Sequence, residues 1–343
     1  MSHTQENISR ADINRNNTQE LRQTDHPAQK RIPVSVLLLP KFENGEMADD
    51  FPGEAQYFYE NYCRGGDAYS IFGGYEGNKL YVRDSVALYV TGCGKVNAVL
   101  SLLAVLQDSR FDFSDAVVIS IGCAGSSVEN TVMGDVFVIT AAIDYDLGHH
   151  ADARELTTDR QTTWFRNSIY DNSAFRCLNT ERTEKVWQLV KDTVLQTTDK
   201  TRTYMASSFN NVPLALREPQ VLLGTTVSGD NYWKGSYDHR NALAMVASYR
   251  APHPFVCAEM EDAALAVALD RIGMLDRFII LRASVNMDVF ADGITPEMLW
   301  GTNKGAAFDS DGGLESGDIF ATAMENLFKV GSKVIDAVLA GTQ

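Results

Sequence analysis

Apolar segments of strand length recur along this chain and alternate with helical patterns, and this alternation limits the possible folds more than any other feature. The first run, Val34–Leu39, is ended by Pro40. Further runs of the same kind are Val86–Val90, Ala116–Ile121, Val136–Ile139, Val221–Val227 and Phe278–Ala283. Mainly apolar runs of this length are typical of strands buried on both faces, as in parallel sheets covered by helices.

The segments between these runs predict helices from their i, i+3, i+4 spacing of apolar residues. We expect helices at Lys95–Leu106, Glu181–Leu195, Tyr237–Tyr249, Glu259–Ile272 and Asp318–Leu339. Strands alternating with helices over some 300 residues predict one α/β domain, which we assign to residues 31–343. Residues 1–30 are polar and predict a disordered tail, and 151–219 predict an elaboration at one edge of the core.

Composition excludes several classes of protein. The chain has 45 acidic and 30 basic residues and a formal charge of −15, which argues against a binder of nucleic-acid polymers. The five cysteines are scattered without a CxxC pair, so neither a zinc ribbon nor a disulfide framework is predicted. No apolar stretch approaches the ~20 residues that span a bilayer, and no signal peptide is recognisable. We therefore expect a cytoplasmic protein without membrane spans.

Two glycine-containing turns follow predicted strands. Thr91–Lys95 opens a predicted helix, and Gly122–Ser126 follows the next buried run. Each alone is consistent with a simple tight turn, and the first is neither a Walker A loop nor a full dinucleotide fingerprint. Together, small-residue turns at the carboxyl ends of neighbouring strands predict a ligand crevice.

Polar groups are expected at the same edge of the sheet. Cys257–Asp262 brings three acids to a helix start, where acids commonly offset the helix dipole. Because Phe255–Cys257 resembles a buried strand, a carboxylate there is also suited to accepting hydrogen bonds from ribose hydroxyls. Asn286 at the end of another strand suits the edge of a heterocyclic base. Ser228–Trp233 combines a turn with two aromatics, which either pack in the core or stack on a base.

Other chemistry is less well supported. The acidic loop Phe42–Glu54 is either solvated or a source of a general acid–base group. Adjacent His149 and His150 do not face one ion on a regular element, so no metal site is predicted. No GxSxG elbow is present, which argues against the common esterase type. We expect no cofactor.

Taken in order, these motifs resemble the nucleoside phosphorylase and nucleosidase superfamily. The matching segments are Val90–Ala98, Ile121–Gly125 with Gly134–Val136, Ser228–Asp230 and Glu259–Glu261. More narrowly, Phe42–Glu46, Asp50–Glu54 and Asp152–Glu155 resemble the branch called purine nucleoside permeases. The resemblance covers residues 32–340. It implies a three-layer α/β/α fold around a mixed, partly closed sheet, and a homo-oligomer.

The resemblance also implies roles for individual residues. Glu261 and Met260 would hold the ribose, and Asn286 would hydrogen-bond N7 of a purine leaving group. Tyr232 and Trp233 would lie by the base, and either Glu54 or Glu46 would activate water. From the same motifs we expect further substrate contacts from Glu259, Gly94, Cys123, Ala124, Ser228 and Asp230.

Departures from the superfamily pattern bear on the nucleophile. The phosphorylases of the superfamily bind phosphate with arginines near the first strand and just before the glycine turn. The corresponding segments here, Leu39–Phe42 and Tyr89–Gly92, contain no arginine. Cys123 stands where a phosphate-binding Ser or Thr is common, and a thiol is a weaker donor. Water therefore fits better than phosphate, although Arg154 offers a charge from elsewhere.

The sequence thus predicts a purine nucleosidase that releases free base and ribose. Asn rather than Asp at position 286 favours 6-oxopurines, with adenosine left open. The alternatives are a phosphorylase, a non-catalytic nucleoside-binding or transport-associated protein, and a sensing module on the same fold. A permease would need membrane spans, which the chain does not show.

Overall fold

The computed structural model of the chain describes residues 30–152, 162–209, 217–293 and 316–341. The predicted disordered tail therefore lies outside the described residues except for Lys30, and so does Arg154.

The core is a sheet of ten strands whose central members are apolar on both faces. In the first strand, Leu37 and Leu39 face one hydrophobic core, while Val36 and Leu38 face another. This alternation explains why the strand reads as an unbroken apolar run. The strands are β1 Val36–Leu39, β2 Asp67–Ser70, β3 Lys79–Arg83, β4 Val86–Leu88, β5 Val117–Ser126, β6 Val136–Asp144, β7 Phe175–Cys177, β8 Val221–Ser228, β9 Phe255–Glu259 and β10 Phe278–Met287.

The sheet is mixed and partly closed. Its order is β7-β6-β8-β9-β5-β1-β4-β3-β2, and β10 pairs with both β5 and β6. Strands β5, β9, β8, β6 and β10 therefore form a closed ring, from which β1, β4, β3 and β2 extend. The pairs β1–β5, β5–β10 and β6–β8 are parallel, whereas β5–β9 and β6–β10 are antiparallel. The predicted mixed, partly closed sheet is confirmed.

Helices cover both faces of the sheet, which confirms the three-layer α/β/α architecture. They are α1 Lys95–Leu106, α2 Thr180–Val190, α3 Asp199–Ser208, α4 Ser236–Tyr249, α5 Asp262–Arg271 and α6 Ser316–Leu339. Helices α1 and α5 pack together on one core, through residues such as Leu102 and Leu265. Helices α2 and α6 bury Val186 and Leu327 in the other core.

Smaller elements complete the described fold. A helical turn at Gln56–Phe58 continues as a π-helix over Tyr59–Cys63. Another turn of helix spans Asp171–Ala174, with 3₁₀ turns at Ser168–Tyr170 and Leu275–Arg277. Ile32–Pro33 pairs with Phe111–Asp112, and His149–His150 pairs with Trp164–Phe165.

Two predicted helix boundaries are wrong. The helix expected from Glu259 begins at Asp262, because Glu259 still pairs with Ser228 as the last residue of β9. The helix expected to reach Leu195 ends at Val190. Strands β2 and β3 were not expected, because their charged and half-exposed residues do not form apolar runs.

Within the described ranges we find no helix whose length and hydropathy would let it cross a lipid bilayer.

Candidate functional site

A cavity of about 490 Å³ opens where several strands of the sheet end. We call it the strand-end cavity. Its apolar wall comes from Phe42, Phe51, Ala124, Ala258, Met260, Val285 and Phe320, and its polar wall includes Lys41, Glu54, Cys93, Cys123, Tyr232, Glu259, Glu261, Arg282 and Asn286. The volume lies within the usual range of about 300–1,000 Å³ for small-molecule sites.

Glu54 reaches the cavity because the loop before it is held by another carboxylate. Glu43 accepts hydrogen bonds from the backbone N–H groups of Gly53, Ala55 and Gln56, which closes the loop after β1. Glu54 itself is buried and accepts from the N–H of Lys41 and of Cys123, each at 2.7 Å. Burial raises the pKa of Glu54, although the charges of Arg282 and Lys41 act in the opposite direction.

The close approach of Glu54 to the sheet depends on a glycine. A Cβ placed on Gly122 would lie 2.6 Å from Glu54 Oε1 and 2.7 Å from Arg282 Nη1. Any side chain at position 122 would clash with both groups. Glycine at this position of β5 therefore allows the Glu54 carboxylate to approach the strand.

Glu261 joins the first glycine turn to the start of α5. Its Oε1 accepts a hydrogen bond from the Gly94 N–H at 2.9 Å. Gly94 has a φ of 89°, a conformation that favours glycine, and it precedes α1. Met260 lines the cavity beside Glu261. Gly94 lies outside the set of lining residues and contacts Glu261 through its backbone N–H. This carboxylate and the neighbouring thioether are suited to a sugar with vicinal hydroxyls.

Arg282 is a site residue that the sequence analysis did not single out. It is fully buried in β10 and donates to Asp262 from Nε at 2.7 Å, to Glu261 from Nη2 at 3.1 Å and to the Cys123 carbonyl. These carboxylates raise its pKa despite the burial. The sequence feature that could have identified Arg282 is its position inside an otherwise apolar strand. A charged residue there is rarely buried unless it is paired.

Lys41 is the second site residue that was missed. Its ammonium group is buried and donates to the Leu39 carbonyl and, at 2.7 Å, to Ser120 Oγ. Burial lowers its pKa, and the nearby Arg282 adds to that effect. Ser120 in turn donates to Asp262 at 2.6 Å, so Lys41 and Arg282 belong to one buried network.

Glu259 and Ser228 lie on the sheet side of this network. Glu259 Oε2 accepts from the N–H groups of Glu261 and Asp262, each at 2.7 Å, and Ser228 Oγ accepts from the Ala263 N–H at 2.8 Å. Ser228 also donates to Glu259. Burial raises the pKa of Glu259 to about 7. Glu259 lines the cavity, but both side chains are engaged in holding the start of α5, where backbone N–H groups lack helical partners.

Asn286 and Tyr232 lie together in the wall of the strand-end cavity. Asn286 Nδ2 donates to the Tyr232 hydroxyl at 2.5 Å, and the amide faces the backbone at Gly125. Tyr232 is about half exposed and lines the cavity. An amide with donors and an acceptor beside an aromatic ring matches the edge of a nitrogen heterocycle.

Three other residues expected in the site lie elsewhere. Glu46 lines an adjoining outer cavity of about 530 Å³, which shares Lys41, Phe42 and Cys93 with the strand-end cavity. Trp233 stacks on Tyr145, with ring centroids 5.3 Å apart. Asp230 accepts from the Lys95 N–H at 2.8 Å and so supports the glycine turn rather than the cavity wall.

His149 and His150 are exposed residues of one short strand, and Nε2 of His150 lies 2.9 Å from the Tyr145 carbonyl. Among the described residues, no group of three or more His, Cys, Asp and Glu side chains is arranged to hold a metal ion.

Comparisons with solved structures identify similar folds. Solved 5′-methylthioadenosine/S-adenosylhomocysteine nucleosidases have a similar fold. The Neisseria meningitidis protein has a TM-score of 0.53 at 17% identity, with 88% of this chain and 99% of that chain covered. The Colwellia psychrerythraea protein has a TM-score of 0.52 at 12% identity, with 90% and 96% covered. The predicted phosphorylase–nucleosidase fold is thereby confirmed.

Sequence comparison is more specific. A Schizosaccharomyces pombe protein described as a probable purine nucleoside permease is 26% identical over 295 residues, which are 76% of this chain and 80% of that protein. The family model for purine nucleoside permeases (NUP) matches residues 33–342. The chain therefore belongs to the purine nucleoside permease family.

Proposed function

We propose that this protein is a purine nucleosidase, which hydrolyses the N-glycosidic bond of a purine nucleoside to free base and ribose. The observation that carries the proposal is the shared position of Glu54, Glu261 and Asn286 on one cavity. Glu54 comes from the loop after β1, Glu261 from the start of α5 and Asn286 from the end of β10. They offer a base for water, a partner for ribose hydroxyls and a partner for the purine.

Glu54 is the proposed general base. Its carboxylate is held by two backbone N–H groups, and burial raises its pKa, so it is more basic than an exposed glutamate. In the reaction the C1′–N9 bond breaks and its electron pair passes to the purine. The water oxygen bonds to C1′ while Glu54 takes the water proton, which is finally returned to the purine or to solvent. A positioned base of this kind contributes about 10²–10⁴-fold.

Asn286 is the proposed partner of the leaving group. Its amide cannot give up a proton, but its N–H can donate a hydrogen bond to N7 as negative charge builds on the purine. Glu261 and Met260 would orient the sugar beside it. Such stabilisation suits the oxocarbenium-like transition state of glycosidic bond cleavage.

Charge balance supports water rather than phosphate as the nucleophile. Among the described residues, the cations at the cavity are Lys41 and Arg282, and the carboxyl groups around them are Glu54, Glu259, Glu261 and Asp262. Arg282 donates to three of these carboxyl groups, those of Glu259, Glu261 and Asp262. The cations are therefore neutralised by the protein, and a phosphate dianion would meet further carboxylates.

A second candidate is a nucleoside-binding protein without catalysis, acting in uptake. The family name and the name of the Schizosaccharomyces relative favour it. It requires the same cavity but no role for a basic Glu54. The two candidates therefore differ in one measurable property, which is the appearance of product.

The test is chromatography of products from a panel of purine and pyrimidine nucleosides, with and without phosphate. We expect free purine and ribose at equal rates in both conditions. Glu54→Gln should lower turnover by about 10²–10⁴-fold, while the matched variant Glu46→Gln should keep turnover within about twofold because Glu46 lies on the outer cavity. Product only with phosphate would identify a phosphorylase, and tight binding without product would favour the second candidate.

A further inference from the structure

His239 is a buried, titratable group that takes no part in the proposed reaction. It lies in the first turn of α4, and its Nδ1 is 2.6 Å from Asp288 Oδ2. Its Nε2 is 3.5 Å from Glu129 Oε1, which is an ion-pair distance. Because Asp288 follows β10 and Glu129 follows β5, the imidazole lies between carboxylates from two other segments of the chain.

Asp288 connects this imidazole to the cavity wall formed by Asn286 and Tyr232. It lies two residues after Asn286, and its N–H donates to the Ser126 carbonyl at 2.9 Å, which continues the pairing of β10 with β5. Its carbonyl accepts from the Gly235 N–H at 2.8 Å. The end of the loop that carries Tyr232 is therefore fixed on the same residue that the imidazole contacts.

This loop, residues 229–235, is held at both ends. The N–H of its first residue donates to the carbonyl of the last residue of β9 at 2.9 Å, and its last residue is bonded to Asp288. Between these anchors, Tyr232 accepts the hydrogen bond of Asn286. The contact between these two side chains thus depends on where the ends of the loop lie.

We propose that His239 is a positioning residue, which bridges Asp288 and Glu129 and thereby holds the 229–235 loop where Tyr232 and Asn286 together recognise the purine. This inference rests on the proposed function of the cavity. It adds that binding of the purine weakens when the imidazole loses its charge, although His239 is not among the residues that line the cavity.

The protonated imidazole suits this arrangement. Only the imidazolium carries a proton on both ring nitrogens, so only it can donate toward both carboxylates. Burial acts to lower the pKa of His239, but the hydrogen bond and charge of Asp288 and the charge of Glu129 outweigh it and raise the pKa above its ordinary value. The ring also faces the uncharged Phe255 of β9, and the neighbouring Asp238 of α4 is bonded to a tyrosine hydroxyl instead.

Loss of this proton should loosen the wall. As the pH rises through the pKa of His239, the neutral ring keeps its bond to Asp288 but no longer donates toward Glu129. We expect the Kd of a purine nucleoside to rise by about three- to tenfold across this transition, which is the usual size of such indirect effects. The same raised pKa stabilises the fold below about pH 6.5, and that contribution is lost as the pH rises through the pKa in the folded protein.

The experiment measures the Kd of inosine by titration calorimetry between about pH 6 and 9, where histidines with raised pKa values titrate. The parent is full-length Glu54→Gln, which leaves the nucleoside intact, and His239→Gln or the matched control His253→Gln is added to it. His253 precedes β9 at the strand end remote from the cavity, and its Nδ1 contacts the Thr140 hydroxyl at 3.1 Å. Ionisation of inosine itself affects all three proteins equally.

The parent and the His253→Gln variant should lose affinity as the pH rises. His239→Gln should bind about three- to tenfold more weakly at about pH 6 and show no such loss. A Kd in the parent that does not change with pH, or the same change retained in His239→Gln, would overturn the proposal. No binding of inosine to the parent would refute the purine site and this inference with it.

A double-mutant cycle separates positioning of the wall from general support of the fold. Tyr232→Phe removes the hydroxyl that the loop supplies to Asn286. In that variant, His239→Gln should change the Kd at about pH 6 by less than about twofold, because the bond through which it acts is already gone. An undiminished effect would mean that His239 only supports the fold.

A last readout depends on no ligand. Titration of the His239 Hε1 resonance by NMR, assigned by its absence in His239→Gln, should give a pKa above about 6.5 that falls in Glu129→Gln. An unchanged pKa in Glu129→Gln would contradict the bridge. If inosine binds with the expected pH dependence but no nucleoside is hydrolysed, the proposed hydrolysis fails and the role of His239 stands.

Discussion

At the scale of single residues, the cavity wall at Asn286 is held by a hydrogen bond between two side chains. Asn286 is nearly buried, and its amide nitrogen contacts the Tyr232 hydroxyl at the cavity wall. One N–H of that amide is used by the tyrosine, which fixes the orientation of the group. The second N–H is the one we propose for N7 of the purine.

Replacement of Asn286 by Ala should lower kcat by about 10²–10³-fold, the usual cost of removing one donor to a developing negative charge. The loss of its hydrogen bond to Tyr232 should reduce the free energy of unfolding by only about 1 kcal/mol. Tyr232→Phe removes the same hydrogen bond and keeps the amide, so it should lower kcat by less than about tenfold. Steady-state kinetics with a urea unfolding curve for each variant tests both; wild-type turnover in Asn286→Ala would exclude the assignment.

Sequence patterns singled out several residues that line the strand-end cavity, but not Lys41 or Arg282. Glu261, Met260 and Asn286 follow apolar strands, so their meeting at one edge of the sheet was predictable. Lys41 and Arg282 were not singled out, because burial of a cation depends on partners that the local sequence does not show. Lys41 bonds Ser120, 79 positions away, and Arg282 bonds Asp262, 20 positions away in another element. Spacing also could not choose between Glu46 and Glu54, since the choice depends on how Glu43 closes the loop.

At the scale of elements, the start of α1 is fixed by one lysine. Lys95 donates to Asp144 and Asp146 at the end of β6, each at 2.7 Å, and lies 3.7 Å from Asp230. These contacts hold the glycine turn against the ends of β6 and β8. The glycine turn held in this way presents the Gly94 N–H to Glu261.

We expect Lys95→Met to raise KM for the nucleoside by about three- to tenfold, because the turn that positions the Gly94 N–H against Glu261 is then less firmly held. The variant also leaves three carboxylates without their cation. Because these groups are partly exposed, the free energy of unfolding should fall by about 1–3 kcal/mol, below the cost of breaking a fully buried pair.

The control for this prediction is Lys185→Met. Lys185 pairs with Glu181 on the exposed face of α2, and such pairs contribute less than about 0.5 kcal/mol. Its KM should equal that of the wild type. A wild-type KM in Lys95→Met as well would mean that the turn keeps its place without the lysine.

Elements with strong periodicity were predictable, and those that depend on a partner strand were not. Helix α1 has the predicted bounds Lys95–Leu106, because its apolar spacing and the glycine before it both mark the helix. Strands β2 and β3 lie at the end of the sheet and carry exposed polar residues. They are ordered by pairing, since β2 pairs with β3 and β3 pairs with β4. The three acids at 259–262 resemble a helix start, yet the first of them completes β9.

At the scale of the whole molecule, closure of the sheet brings the site together. Glu54 lies 232 positions before Asn286 in the chain, and both meet on one cavity because β10 pairs with β5. Apolar runs indicate where strands lie but not which strands are neighbours. The β5–β9–β8–β6–β10 ring therefore cannot be inferred from them. The family resemblance implied only a mixed, partly closed sheet, and the strand pairing confirms that.

A ligand bound at a site formed by the closed sheet should stabilise the entire fold, since unfolding of any ring strand destroys the cavity. We expect a purine nucleoside at about 100 times its Kd to raise the free energy of unfolding of Glu54→Gln by about 2.7 kcal/mol. For a chain of this length that corresponds to a rise in Tm of about 3–6 °C. The variant is chosen because a slow enzyme leaves the nucleoside intact during the scan.

Uridine is the matched control, because it keeps the ribose and lacks N7. Differential scanning fluorimetry should give little change in Tm with uridine and a clear rise with inosine or guanosine. Equal rises with both nucleosides would mean that the cavity recognises the sugar and not the purine, which would contradict the role of Asn286. A rise with the purine that is absent in a Glu261→Ala variant would further place the ribose at Glu261, because that variant removes the carboxylate and leaves the Asn286 wall unchanged.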